Sequence, residues 1–594
     1  LRFILFFFLC FSAQIVLSQE DFLARQYFED GEFEKAKVFL EKLVDKNPRR
    51  TDFTERLIVC YQELEQYDKA EELLLNIMKQ GIIYPTGYIE LGRNYALQGL
   101  EKEAIENYDL AIAQIEKHPN YGYGVGYKFQ HYVLLDYAIK AFSLAMELNP
   151  AQNFDYQIAR IYGEQGKIDE MFGAYLKLIS EGKISPANVL RNINDFITSD
   201  AENPNNIKFK RILLQNAQRN PDVLWNELLG WLFVQQKEYS SAFSQERAIY
   251  RRSEGKSLHR LQGLGKIALD NQEVEVARDV YTFIVENSDN KREVLDAQLS
   301  LIEIRLMDAE DKELLSIEKT FSELMQEYGY QMETLQLQIA YANFLTFNRN
   351  TPDLAIEIME KCLELPLNNY GNAYIKNTLG DILVFNQEFN RALIYYSQIQ
   401  KNLKNDVLGQ EARFKVAQTS FYKGDFDWAL TQLKVLRSAT SQLIANDAMQ
   451  LSLLISDNSL EDSTQVALKK YARASFLNYQ NKKAEAVALL DEVLENHKGE
   501  KIEDEALLKQ GQILTELKQY GKAEFNYLKI VEFYGGGILA DDAHFALAEL
   551  YNTVLVNPEK AKFHYEQIVF NYQDSYYFPQ ARRKYRALRG DSVN

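Results

Sequence analysis

A small residue followed twelve positions later by alanine recurs through most of this 594-residue chain. The pairs are Ala24/Ala36, Gly92/Ala104, Gly126/Ala138, Gly230/Ala242, Gly265/Ala277, Gly380/Ala392, Ala417/Ala429, Ala474/Ala486 and Gly511/Ala523. Ile58/Ala70 and Ala159/Met171 keep the spacing with one larger residue, and Ala548/Ala561 is one residue longer. Two helices joined by a tight turn can approach closely where both carry small side chains. A unit of that size cannot bury both of its faces alone, so a chain built this way folds by stacking each pair on its neighbours.

Aromatic residues sit at fixed offsets from the small pairs. Three after the first member come Tyr27, Tyr61, Tyr95, Phe129, Tyr162, Phe233 and Tyr551. Four after the second come Tyr108, Phe142, Tyr281, Tyr396, Tyr527 and Tyr565. These positions account for much of the excess of Tyr (37) and Phe (34) over Trp (3), and they are expected to fill the gap to the next pair. Asp30-Gly31, Gln165-Gly166 and Gly424-Asp425 read as the turns between paired helices. Apolar spacing such as Ala104, Ile105, Tyr108, Ala111, Ile112 follows the helical i, i+3, i+4, i+7 pattern. With only 28 Gly and 11 Pro, the chain is short of the turn formers that an all-β or collagen-like fold needs.

The unit at 86–117, with Leu91-Gly92, Tyr95, Ala104, Tyr108 and Ala111, resembles the tetratricopeptide (TPR) repeat, and twelve units of the chain align to it. The resemblance implies an all-α fold, a right-handed superhelical α-solenoid of stacked helix-turn-helix repeats. The small residues fall at 24, 58, 92 and 126, a 34-residue step, and later at 380 and 417 and at 474, 511 and 548, a 37-residue step. The longer step is similar to that of exported bacterial envelope TPR proteins, above all in the last unit, Asp541 to Arg586. The expected organisation is a signal peptide at 1–18 and an N-terminal array at 19–185. A divergent TPR-like segment follows at 186–330, in which 186–220 and 291–328 depart from the pattern. A central array with an extra helix at 441–457 occupies 331–457, and a C-terminal array 458–594. The polar run Ser456-Asp457-Asn458-Ser459 reads as the linker between the last two.

Arg2 followed by the apolar Phe3–Leu17 and by Val16-Leu17-Ser18 reads as a secretory leader, with cleavage before Gln19. Cys10 falls inside it. That leaves Cys60 and Cys362, far apart in sequence, which are expected to be buried thiols rather than a disulfide framework. The net charge of -18 disfavours nucleic-acid binding, because phosphates would be repelled over most of the surface.

The motifs of catalysis are missing. His118, His131, His259, His497, His544 and His564 form no HExxH or similar ligand pair; His544 and His564 lie in paired helices of one unit. Gly122-Tyr123-Gly124-Val125-Gly126 lacks the GK[ST] ending of a phosphate loop and reads as a turn or helix start, and Gly535-Gly536-Gly537 as a connector. The expectation is therefore no catalytic residue, no metal and no cofactor. By the resemblance, the residue after each small position points into a concave groove: Arg25, Val59, Arg93, Tyr127, Arg160, Trp231, Lys266, Asp381, Gln418, Ser475, Gln512 and Glu549. Arg25, Arg93, Arg160, Trp231 and Lys266 make the first half basic and aromatic, and Phe385, Tyr422 and Tyr479 form a stripe at later helix ends. The arginines Arg25, Arg93 and Arg160 either pair with neighbouring glutamates on the surface or clamp an acidic or C-terminal peptide, since guanidinium forks suit carboxylates. The stripe is either packing between repeats or a peptide platform. These readings imply a non-enzymatic protein–protein interaction scaffold of the bacterial cell envelope, within an outer-membrane assembly or secretion complex. The alternative is a periplasmic holdase-type chaperone. Its partners would be proteins or peptides. It would be exported to the periplasm, with no membrane span after cleavage and with only indirect association with the outer membrane.

Overall fold

The computed structural model describes residues 20–48, 50–80, 85–253, 257–436, 441–459 and 464–591. The leader expected at 1–18 lies outside them. The described residues are helical with short 3-10 turns and contain no strand. They form two compact units that divide between residues 256 and 257, whereas the sequence places its soft boundaries at 186–220 and near 458.

The first unit runs as helix pairs from 20–29 with Phe33–Lys46, through Thr51–Glu63 with Tyr67–Lys79, to Asp155–Glu164 with Ile168–Ser180. The register then breaks. Pro186–Ile193 ends in a 3-10 turn, and a non-helical stretch leads to Pro204–Arg219 before the pair Val223–Gln235 and Tyr239–Arg252. The second unit begins with His259–Asp270 and Val274–Asn287 and continues in pairs to Val407–Lys423 with Phe426–Leu436. A single helix, Gln442–Ser459, is inserted there, and pairing resumes at Val466–Tyr479 with Lys483–Asn496. The polar run at 456–459 is not a linker. It continues the inserted helix, where Asn458 Nδ2 donates to Leu454 O (2.8 Å) and Ser459 Oγ to Ile455 O (2.6 Å). Short polar side chains satisfied by the carbonyl four residues back are compatible with a helix end.

The small positions are explained by what lies on them. A Cβ at Gly126 would stand 2.5 Å from the Phe142 ring, and one at Gly380 2.5 Å from Tyr396. Gly92, Gly265 and Gly511 are covered in the same way by Tyr108, Tyr281 and Tyr527. The second-helix aromatics thus fold back onto the glycine of their own pair, and they also reach the next pair as expected: Tyr108 meets Phe129 and Tyr137 (5.7 and 5.4 Å), and Phe142 meets Phe154 (5.0 Å). Where the small residue is Ala24, Ala417 or Ala474, the covering position holds Leu40, Leu433 or Leu490, all buried. In these eight units glycine goes with an aromatic ring and alanine with leucine, which keeps the volume across the crossing roughly constant; Gly230 with Glu246, and Ala159 and Ala548 with Tyr175 and Tyr565, depart from this. The first-helix tyrosines do reach the neighbouring pair: Tyr61 Oη donates to Glu41 (2.8 Å) and Tyr95 Oη to Glu71 (2.7 Å).

One turn geometry recurs seven residues after the small position. It has positive φ at Gly31, Gly99, Gly166 and Gly424, and equally at Glu65, Val133, Lys237, Gln272, Gln387, Asn481 and Lys518. The next amide donates back to the carbonyl five residues earlier, as in Gln66 to Tyr61 (2.7 Å) and Leu134 to Phe129 (2.9 Å), which closes the helix end. Cys60 and Cys362 are buried free thiols, and burial pushes them up to about 12 and about 11.

Candidate interaction site

The groove residues expected in the first unit have different surroundings. Arg25 Nε pairs with Asp21 on its own helix (2.8 Å), and its Nη2 lies 3.8 Å from Asp52. The Arg93 guanidinium lies over the Tyr132 ring, 4.2 Å from its centre. Tyr132 Oη in turn donates to the buried Glu90 (2.7 Å), which also takes Lys128 Nζ at 2.5 Å. Arg160 is exposed and close enough to Tyr175 to act on its hydroxyl electrostatically. Trp231 is half-buried with its ring edge against Phe209. In the second unit Lys266 is exposed. Arg25 is therefore paired with aspartates, not with the glutamates expected, and Arg93 lies over a ring.

Phe385, Tyr422 and Tyr479 are brought together, but inwards. Phe385 is 4% exposed. Phe347 meets both Phe385 and Tyr479 edge-on (5.3 and 5.8 Å), and Tyr422 lies 5.8 Å from Tyr479. Gln480 Nε2 donates to Phe385 O (2.7 Å), and Tyr479 Oη to Asp381 O (3.0 Å). These contacts tie the helix Val466–Tyr479 to Asn369–Phe385 across the inserted segment, so the three rings pack helix against helix. The acid Asp381 is also engaged: Tyr396 Oη donates to it (2.6 Å) and Lys415 Nζ pairs with it (2.6 Å). Glu549 repeats this arrangement with Tyr565 and Lys584 (2.5 and 2.6 Å).

Gln418, Ser475 and Gln512 behave differently. These three series positions of successive units open onto one solvent-connected chamber of about 590 Å³, within the usual range for ligand clefts. Its aromatic wall is Phe414, Phe421, Tyr422, Tyr471 and Tyr577. The inserted helix supplies Asp447, Gln450, Leu451, Leu453 and Leu454, and the later helices Glu505, Leu508, Lys509 and Asp542. Burial, with the charges of Asp504 and Asp542, pushes the Glu505 carboxyl up to about 8. Burial and Asp541 push Asp542 to about 6, although Tyr577 Oη donates to it (3.1 Å). Asp447 is raised and Lys509 lowered by burial.

The sequence series led to Gln418, Ser475 and Gln512, but not to the chamber's charges. Glu505 and Lys509 lie seven and three residues before Gln512, on the same helical face. That offset is the signal that could have found them, but it was hidden among 85 acidic residues.

His544 and His564 are both buried, with Nδ1 atoms 2.9 Å apart, so one imidazole donates and the other accepts. Burial lowers both to about 4. Among the described residues no group of three or more His, Cys, Asp or Glu could hold a metal ion, and no helix is long and apolar enough to cross a membrane.

Residues 27–81 match the tetratricopeptide repeat family. No curated protein matches the chain. A solved structure described as "Structure of Naa15/Naa10 bound to HypK-THB" aligns over 96% of this chain and 96% of its own, at 14% identity and a TM-score of 0.28. So loose a superposition carries no argument about the site. The family match covers residues 27–81; with helix pairs of one geometry recurring through each unit, the described residues form an all-α solenoid of tetratricopeptide-like repeats.

Proposed function

We propose that the protein is a non-enzymatic scaffold that holds a protein or peptide partner on the inner face of its repeats. The observation that carries this reading is the shared chamber of Gln418, Ser475 and Gln512. Rigid stacked helices present these side chains in a fixed arrangement, so a partner spends little of its binding energy on reordering the surface. The exposed Arg160 and Lys266 offer further contacts for an acidic segment.

We place this scaffold in a bacterial cell envelope, exported to the periplasm and working beside an outer-membrane assembly or secretion complex. The support is the basic-then-apolar composition of residues 1–18 and the 37-residue step of the later repeats.

Crosslinking and affinity purification of the tagged protein from its own cells, with mass spectrometry, tests the reading. A few stoichiometric envelope partners are expected. A broad, sub-stoichiometric spread of exported chains would replace the dedicated scaffold with a holdase.

A further inference from the structure

The chamber in the second unit carries more charge than it neutralises. Among the described residues Glu505, Asp542 and Asp447 face it, against a single cation, Lys509. Neither Glu505 nor Lys509 has a side-chain hydrogen bond or ion pair among the described residues, although both are half-buried. The charges acting on Glu505 come from Asp504, Asp542 and Asp457, all of its own sign, and the charge acting on Lys509 from Glu516 on the same helix. Asp542 is met by the Tyr577 hydroxyl and a backbone amide, and by no cation among the described residues. Half-buried carboxylates gathered without a counter-ion raise the energy of the empty site, and an incoming cation would relieve that cost.

The rest of the lining narrows the class of ligand. Ring faces beside carboxylates suit a guanidinium or ammonium, which is attracted to both. Leu451, Leu454 and Leu508 can cover the apolar stem on which such a head group is carried. An anion would meet three carboxylates. The inserted helix Gln442–Ser459, which lies outside the pairwise repeat pattern, lines one side of the chamber and contributes Asp447.

We propose that this chamber receives a basic side chain of the protein partner, seated between Glu505 and Asp542 with its stem against the leucines and its head group beside the tyrosine rings. This rests on the scaffold reading above and names the chemistry that the scaffold recognises. Lys509, one turn along from Glu505, sets the opposite polarity and directs the cation to the 505/542 end. Entry of the cation favours the ionised form of Glu505, so binding near neutral pH expels a proton.

The test uses the full chain and labelled, capped hexa-arginine, hexa-lysine and hexa-glutamate peptides at moderate salt. The basic peptides are expected to bind, and hexa-glutamate to bind at least tenfold more weakly. Tighter hexa-arginine than hexa-lysine would identify a guanidinium site, and the reverse an ammonium site. Glu505→Gln with Asp542→Asn is expected to weaken the basic peptides at least tenfold. Gln512→Trp, which fills the chamber without changing charge, should do the same. Glu72→Gln with Glu116→Gln removes two carboxyl groups from exposed positions in the first unit and should change affinity less than twofold. Calorimetry in buffers of different ionisation enthalpy should show proton release at pH 7.5 that Glu505→Gln abolishes. Equal weakening by the chamber pair and the surface pair would overturn the assignment in favour of general charge attraction, as would preferential binding of hexa-glutamate. A native partner retained equally by wild-type and Glu505→Gln/Asp542→Asn protein overturns the chamber assignment and leaves the scaffold standing. Specific peptide binding with no stoichiometric native partner counts against the scaffold and not against the chamber.

Discussion

Phe142 lies over Gly126 so closely that a single methyl group there has nowhere to go. Gly126→Ala should therefore destabilise the protein by about 1–3 kcal/mol, the usual cost of overpacking a filled core. Combining it with Phe142→Leu converts the unit to the alanine–leucine form found at Ala417/Leu433, and should recover most of the loss in chemical denaturation. A fully additive double variant would contradict the volume rule. Val133 gives the opposite case. It holds φ +57° with its side chain 73% exposed, a conformation that a β-branched residue resists. Val133→Gly should stabilise by up to about 1 kcal/mol, measured in the same way. The glycines and the rings were both legible in the sequence. Their contact within one pair was not, because periodicity shows which residues share a face and not which neighbour they touch. The turn was legible only where glycine marks it. At Glu65, Lys237 or Gln387 the tertiary stack imposes the same φ on a residue with no preference for it.

The inserted helix Gln442–Ser459 departs from the repeat in its pairing, and the last full helix pair in its buried chemistry. The insertion was legible from its apolar spacing, but its end was not, since Ser456 to Ser459 have linker composition and helical hydrogen bonds. In the pair Ala540–Thr553 and Pro558–Asn571, the His544–His564 contact couples two helices through groups that are neutral when folded. Both are held at about 4, below the ordinary value near 6.5, so the unfolded chain takes up protons first as pH falls. The stability of this pair is thus fully present above about pH 6.5 and is lost progressively down to about 4. Lys560 opposes protonation of His564 and Asp541 favours that of His544, without reversing either shift. Amide exchange across 540–571 should accelerate over this window, and His544→Phe with His564→Phe should flatten the response. An unchanged acid response in that variant would assign it to carboxylates instead.

Across the whole molecule, stability comes from each pair stacking on its neighbours, so a chamber can be built into the stack at a local cost. Glu505 makes that cost readable. Its folded carboxyl titrates at about 8 against an unfolded value near 4.3. The folded state therefore retains a proton that the unfolded chain gives up, and stability declines as pH rises through this interval. Glu505→Gln should raise the melting temperature clearly at pH 8–9 and little at pH 5; an equal shift at both would contradict the unpaired, half-buried carboxyl. The fold class could be read from the spacing alone, because it recurs so often. The site could not, because its charges come from helices separated in sequence and from an insertion that breaks the repeat. The central claim is that partners sit on the inner face. The most direct measurement places a photo-crosslinking amino acid singly at Gln418, Ser475 and Gln512, and at the exposed Phe525 and Phe563, in the protein's own cells. The account predicts crosslinks to the same partner from the three chamber positions and none from Phe525 or Phe563. Crosslinks confined to Phe525 and Phe563 would contradict it.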